Sequence, residues 1–301
     1  MQNKHNGKNI KSSYTTVGVL FILPVILIYL WFAIIPFFDS FVLSFFEWNG
    51  FSARRFVGFS NYATALKDIT FHTAIKNSVY LGILSSIISV SAGIMMAWFM
   101  LYTGRKTGAL YRTILFSPSM IPAVITALIF SFVFEPDMGI LNNLLESIGL
   151  GMLKTAWLAN QKTVLGCLLF VSVWKQTGLT MVLCFAGMQG INASLFESAC
   201  IEGASDWKIF RRIIIPLIMP FIQLSSIFAL MSGLKIYDTV VALTGGGPGK
   251  TTVVMPLWIL QNSFSFNKFG YGAAMSMVFV GTVLMGMIAV KLVVRGESYE
   301  Q

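Results

Sequence analysis

Five stretches of this chain carry no Asp, Glu, Lys or Arg: Ser12 to Phe38, Asn77 to Gly104, Thr113 to Phe134, Ile213 to Leu234 and Phe269 to Val290. Each is long enough for a membrane, since about 20 helical residues cross a hydrocarbon core of about 30 Å. A sixth stretch, Thr163 to Gln189, is interrupted only by Lys175. Open strands leave unpaired backbone groups in lipid, so every crossing is expected as a helix. The fold class that follows is all-α, a polytopic membrane protein of six transmembrane helices. Composition agrees: 56% of the 301 residues are hydrophobic, 11% are charged and the mean hydropathy is +0.76. An average soluble domain has about 25% charged residues.

The first stretch is too long for a signal-peptide core and ends in WFAIIPFF without a small-residue cleavage site, so it is expected to stay, kinked or ended by Pro24 and Pro36. Six crossings put both termini on one side, giving a tail at 1–11, a permeation domain at 12–294 and a second tail at 295–301. The same side collects Lys4, Lys8 and Lys11, then Arg105, Lys106 and Arg112, then Lys208, Arg211 and Arg212, then Lys291 and Arg295. The opposite loops spread nine Lys or Arg over longer connections, so the denser side is cytoplasmic by the positive-inside rule. The net charge of +9 then reflects topology and not binding to nucleic acid. Cys167, Cys184 and Cys200 lack a CxxC spacing and read as packing residues. His5 and His72 have no second ligand nearby, so no metal site is expected.

The longest cytoplasmic connection, a loop set at 190–216, carries the run LFESACIEGASDWKIFRRIIIPLIMP, Leu195 to Pro220, which continues into the fifth span. Ser194-x-x-Glu197 fits a capping box, with Phe196, Ala199 and Cys200 on one helical face. Gly203 can end that helix in a left-handed conformation. A second helix starting near Ser205 or Asp206 runs through Arg211 and Arg212 into the fifth span near Pro216. The outcome is a helix-turn-helix elbow on the membrane face.

Glu197, Ser198 and Ala199, then Gly203, then Ile213, Ile215 and Pro216 stand at the spacing of the cytoplasmic signature of ABC importer permease subunits, which this chain resembles. Ser198 and Ile215 replace the signature's Ala and Leu. FVGFSNY (56–62), YRTILFSPSMIP (111–122), EPDMGILNNLL (135–145) and YDTVVALTGGGP (237–248) resemble the carbohydrate-uptake branch related to the maltose and glycerol-phosphate permeases. The likeness runs from about residue 16 to 294. It implies a type I importer permease core with a cytoplasmic coupling helix, in the cytoplasmic membrane of a prokaryote. A second, similar permease subunit would pair with this one, two ATPase subunits would grip the elbows, and an extracytoplasmic solute-binding protein would deliver the carbohydrate. ATP and Mg would be used by the ATPase partner, with no cofactor on this chain. The coupling role falls on Glu197, Ala199, Gly203, Ile213 and Pro216. Helix capping is the plainer role for Glu197, and both can hold at once.

Lys175 stands about 18 Å along the fourth stretch, where a Lys facing lipid costs at least about 2.5 kcal/mol. It therefore faces a cavity, with Trp174, Lys175 and Gln176 as candidates for the sugar path, or the span starts near Gln176 and leaves Lys175 at the outer edge. Gln223, Ser225 and Ser226 in the fifth span and Ser276 and Thr282 in the sixth are the other polar groups, Gln223 being a further path candidate and most of them interhelical glue beside Gly272, Gly281 and Gly286. Tyr237 and Asp238 border the sugar site or mark the interface, as does Lys235. No carboxylate lies inside a span, which tells against an ion-coupled transporter or a membrane enzyme. A passive channel or scaffold whose elbow binds another partner is the remaining alternative.

The stretch LTGGGPGKTT, residues 243–252, imitates a phosphate-binding loop but is one residue short between its first glycine and Gly-Lys-Thr. It follows a membrane span, not a strand, and the topology places it outside the cytoplasm. Gly245, Gly246, Gly247 and Pro248 are instead expected to build a tight turn, in the position where the resembling family faces its binding protein.

Overall fold

A computed structural model describes residues 20–103 and 105–294, with the backbone alone at Arg105 and Lys106. The tails at 1–11 and 295–301, the start of the first stretch at Ser12, and Lys4, Lys8, Lys11 and Arg295 lie outside the described residues. The chain forms two compact units. One holds the described residues up to Ala65 with Asn262–Met277; the other holds Leu66–Gln261 with those from Val278 onward.

In the first unit, helix α1 (Leu20–Leu43) is exposed from Leu20 to Phe32, as an apolar helix in contact with lipid would be. Pro36 does not end it. A π turn at Leu30–Ile34 precedes the proline, which has no N–H to return to the preceding turn, and the helix continues past Asp39. A short hairpin follows, β1 (Phe46–Glu47) with β2 (Arg55–Phe56). Arg54 lies 3.0 Å from Asp39 and 4.9 Å over the Trp48 ring. Helix α2 (Ser60–Lys67) opens the FVGFSNY segment's helical part, and its Asn61 amide donates to the carbonyls of Ser44 and Phe46, both at 2.9 Å.

The second unit is built on two unbroken helices, α3 (Ile69–Met100) and α7 (Val164–Gln189). Between them the third stretch is two helices, α4 (Arg105–Met120) and α5 (Ala123–Val133), bent by 98°. The third stretch, expected as one helical span over Thr113 to Phe134, is thus broken within its length. Pro122 removes a backbone donor and drives Ile121 away from the helical region. The connection after α5 contains α6 (Ile140–Ser147).

The fifth stretch is likewise bent, by 72°, between α9 (Asp206–Leu217) and α10 (Met219–Leu234), so Ile213 belongs to the elbow and not to the span. Two further short helices, α11 (Asp238–Thr244) and α12 (Met255–Leu260), precede α13 (Phe269–Val293). Among the described residues four helices are long and apolar enough to cross a membrane, or up to six if each bent pair is one span.

Small residues set the spacing of these helices. A Cβ on Gly233 of α10 would stand 2.7 Å from the Cα of Gly82 in α3. One on Gly178 of α7 would strike the Leu115 carbonyl oxygen in α4. Of the glycines expected to do this, Gly286 lies against Leu230, but Gly281 meets nothing within 4 Å. Ser86 donates to the Ser226 carbonyl across α3 and α10 at 3.2 Å, whereas Ser276 and Thr282 bond only within their own helix. Cys167 and Cys184 are buried, but Cys200 is exposed, so the packing role expected of all three fails there.

Candidate functional site

Helix α7 presents Ser172, Lys175, Gln176 and Leu179 on one face, at spacings of three and four residues that align side chains along a helix. That face borders a cavity of about 490 Å³. The bend between α4 and α5 carries Ser119 and Ala123 into its wall, α3 adds Ser85, and the joint between α10 and α11 adds Lys235, Tyr237 and Asp238. Irregular backbone at membrane depth is tolerated where it lines a cavity, which accounts for the break in the third span here, whereas the break in the fifth span, at Ile218, is buried among the elbow's apolar residues.

The alternative start of the fourth span near Gln176 is overturned. Helix α7 begins at Val164 and stops at Gln189, so a span starting at Gln176 would be roughly 21 Å long, too short to cross. Lys175 sits in mid-helix on the cavity. Among the described residues no ion pair within 4.0 Å reaches Lys175, Lys235 or Asp238. Two ammonium groups, one carboxylate, an amide and several hydroxyls therefore share one chamber, a set that suits the hydroxyl groups of a polyol.

Trp174 and Gln223 are not in the wall. The Trp174 ring packs edge-on against Phe130 at 5.2 Å and joins the buried cluster of Leu81, Leu168 and Val240. Gln223 donates to the Val294 carbonyl at 3.0 Å, satisfying the C-terminal end of α13. Ser85, Ser119 and Ser172 were missed by sequence reasoning; the spacing of Ser172 to Lys175 and Gln176 was the available signal for one of them.

On the opposite side of α7, Gly190 leads into helix α8 (Ala193–Ile201). Its cap is Asn192, whose side chain accepts from the Ser194 amide at 3.1 Å, so the capping box expected at Ser194 is not formed. Ser194 instead lies inside the first turn. The Glu197 carboxylate is exposed and makes no hydrogen bond or ion pair among the described residues, which leaves the capping role for it unrealised. Ala199 is buried and Phe196 half-buried against the core, while Cys200 points away from that face.

Gly203 has φ +72°. The Gly203 amide donates to the Cys200 carbonyl at 3.0 Å and the Ala204 amide to that of Ala199 at 2.9 Å. This paired closure ends α8 and turns the chain into α9, capped at Ser205. Ile214 is buried, with Ile213 and Pro216 half-buried beside it. The elbow is anchored by Phe210, whose ring lies 4.5 Å from that of Trp98 in α3.

The segment at 245–254 is a compact turn. Gly245 (φ +59°) closes α11, and Gly246 (φ +91°) is buried, where a Cβ would come 3.0 Å from Leu257. The Gly247–Pro248 peptide is cis. Thr252 donates to the Gly247 carbonyl at 2.7 Å and shares a 2.8 Å hydrogen bond with Thr244.

The family of binding-protein-dependent transport system inner membrane components matches residues 89–298. A probable ABC transporter permease protein of Bacillus subtilis, YurN, is 31% identical over 285 residues, covering 94% of this chain and 97% of that one. The diacetylchitobiose uptake permease NgcF of Streptomyces coelicolor is 29% identical over 279 residues, 89% of this chain and 79% of its own. Among solved structures, a bacterial ABC transporter involved in import of the acidic polysaccharide alginate superposes with a TM-score of 0.80 at 23% identity, over 97% of this chain and 99% of that chain.

Proposed function

The chain belongs to the family of binding-protein-dependent transport system inner membrane components, and from that membership we propose that it is the permease of an ATP-driven carbohydrate importer. The observation that carries the substrate reading is the chamber bordered by Lys175, Gln176, Tyr237 and Asp238, where a polyol can exchange hydrogen bonds with charged and hydroxyl groups away from lipid. Relatives agree with it: one is a diacetylchitobiose uptake permease and another a lactose transport permease.

The family places the chain in an inner membrane, working with a binding protein. In our reading both termini are cytoplasmic, a second permease completes the path, and two ATPase subunits dock on the elbows. Glu197 meets a basic residue of the ATPase, with Ala199, Gly203, Ile213 and Pro216 giving the elbow its shape. The ATPase uses ATP and Mg; this chain binds neither. The turn at Gly245, Gly246, Gly247 and Pro248 faces the solute-binding protein.

The test is uptake of labelled diacetylchitobiose, lactose, maltotriose and alginate oligomers into proteoliposomes holding the assembled importer. Uptake of at least one that stops when ATP hydrolysis is blocked is expected. Uptake that continues without hydrolysis would overturn the importer reading in favour of a channel.

A further inference from the structure

Helix α3 is 32 residues long, holds no proline and has no π turn, and it makes side-chain contacts at both of its ends. At the outer end, Asp68 accepts from the backbone amide of Thr70 at 2.8 Å and from the Trp258 indole N–H at 2.9 Å. Two turns further on, the Asn77 amide donates to the carbonyls of Thr251 (2.7 Å) and Val253 (2.8 Å). The neighbouring Ser78 hydroxyl accepts from the Met255 amide at 2.9 Å. Asn77 and Ser78 are 5% and 0% exposed, so water does not compete for these bonds. Together they fasten the strand of chain that leaves the glycine turn.

At the inner end, Trp98 lies against Phe210 with ring centroids 4.5 Å apart and meets Trp207 at 6.0 Å. Ala97 and Met100 share a buried cluster with Ala199 and Ile209 of the elbow. The third and fifth spans, bent by 98° and 72°, cannot carry a displacement along a single axis. Helices α3 and α7 are both continuous, and of the two only α3 has side-chain hydrogen bonds, among the described residues, to the chain that leaves the glycine turn.

We propose that α3 is the strut that transmits binding-protein docking at the glycine turn to the ATPase-facing elbow, with Asn77 and Trp98 as positioning residues at its two ends. The inference rests on the proposed identity of those two faces. Neither residue borders the sugar chamber, so their effect is on coupling and not on substrate contact.

The assembled importer in proteoliposomes is assayed for MgATP hydrolysis, alone and with the soluble binding protein that copurifies with it, used with the sugar it retains. Asn77→Ala is expected to leave basal hydrolysis unchanged and to reduce the stimulated rate about fivefold, within the range known for coupling changes. Trp98→Leu is expected to lose stimulation to a similar degree while the ATPase still copurifies, and Trp98→Phe, which keeps an aromatic ring on Phe210, restores it. The double variant is no worse than either single one, because both act on one element. If Asn77→Ala fails to assemble, Ser78→Ala, which removes one bond, carries the same direction of effect. Full stimulation in these variants, or losses that multiply in the double, would overturn the strut alone. An unstimulated wild-type complex would remove the two-face reading and the strut with it.

Discussion

Lys175 is tolerated in the middle of α7 because its side chain borders a cavity and not lipid. Lys175→Met is therefore expected to fold and assemble, with binding-protein-dependent uptake reduced about tenfold if one charged hydrogen bond to substrate is lost; labelled-sugar uptake against ATPase copurification separates the two. Its neighbour Trp174 behaves differently. Trp174→Ala removes a half-buried ring packed against a buried cluster and should lower the Tm, by less than the roughly 3 kcal/mol that deleting a fully buried aromatic costs. Glu197→Gln keeps the shape of the elbow, and since none of the described residues pairs with that carboxylate, its effect should appear in ATPase docking. Normal copurification and uptake in that variant would remove the ion-pair role.

At the scale of elements, the elbow depends on backbone geometry more than on contacts. Nothing lies within 4 Å of a Cβ built on Gly203, so Gly203→Ala isolates the left-handed strain, about 1 kcal/mol. We expect ATPase affinity to fall while the Tm of the membrane domain holds, as measured by copurification yield and thermal unfolding in detergent. The starts of α7 and α13 were legible in sequence because Lys162 and Lys268 bound the apolar runs, and α7 starts one residue from where Thr163 put it. The bends at Ile121 and Ile218 were not, because proline permits several outcomes and only neighbouring helices decide among them. The cap was misread for a related reason: Ser194 and Glu197 match a spacing, yet Asn192 two residues earlier already holds the amide of Ser194. Trp174 and Gln223 show the same limit, since polarity and depth do not reveal which face of a helix meets a cavity.

For the whole molecule, the native thiols report topology without engineering. Cys200 is exposed on the elbow, while Cys167 and Cys184 are buried. A membrane-impermeant maleimide should label the chain in inside-out vesicles and not in right-side-out ones, and Cys200→Ser should abolish that label. Labelling from outside would invert the orientation. The bend between α4 and α5 also has a consequence for biogenesis. When the third span leaves the ribosome, α7 has not yet been made, so the freed backbone near Ile121 has no protein to shelter it from hydrocarbon, where each unpaired group costs several kcal/mol. The span must enter the bilayer straight, or wait beside the insertion machinery, and acquire its bend only when α7 arrives and Gly178 closes on Leu115. Maturation of this chain is thereby ordered in time, and a chain truncated before Val164 should be recognised as unfinished and degraded.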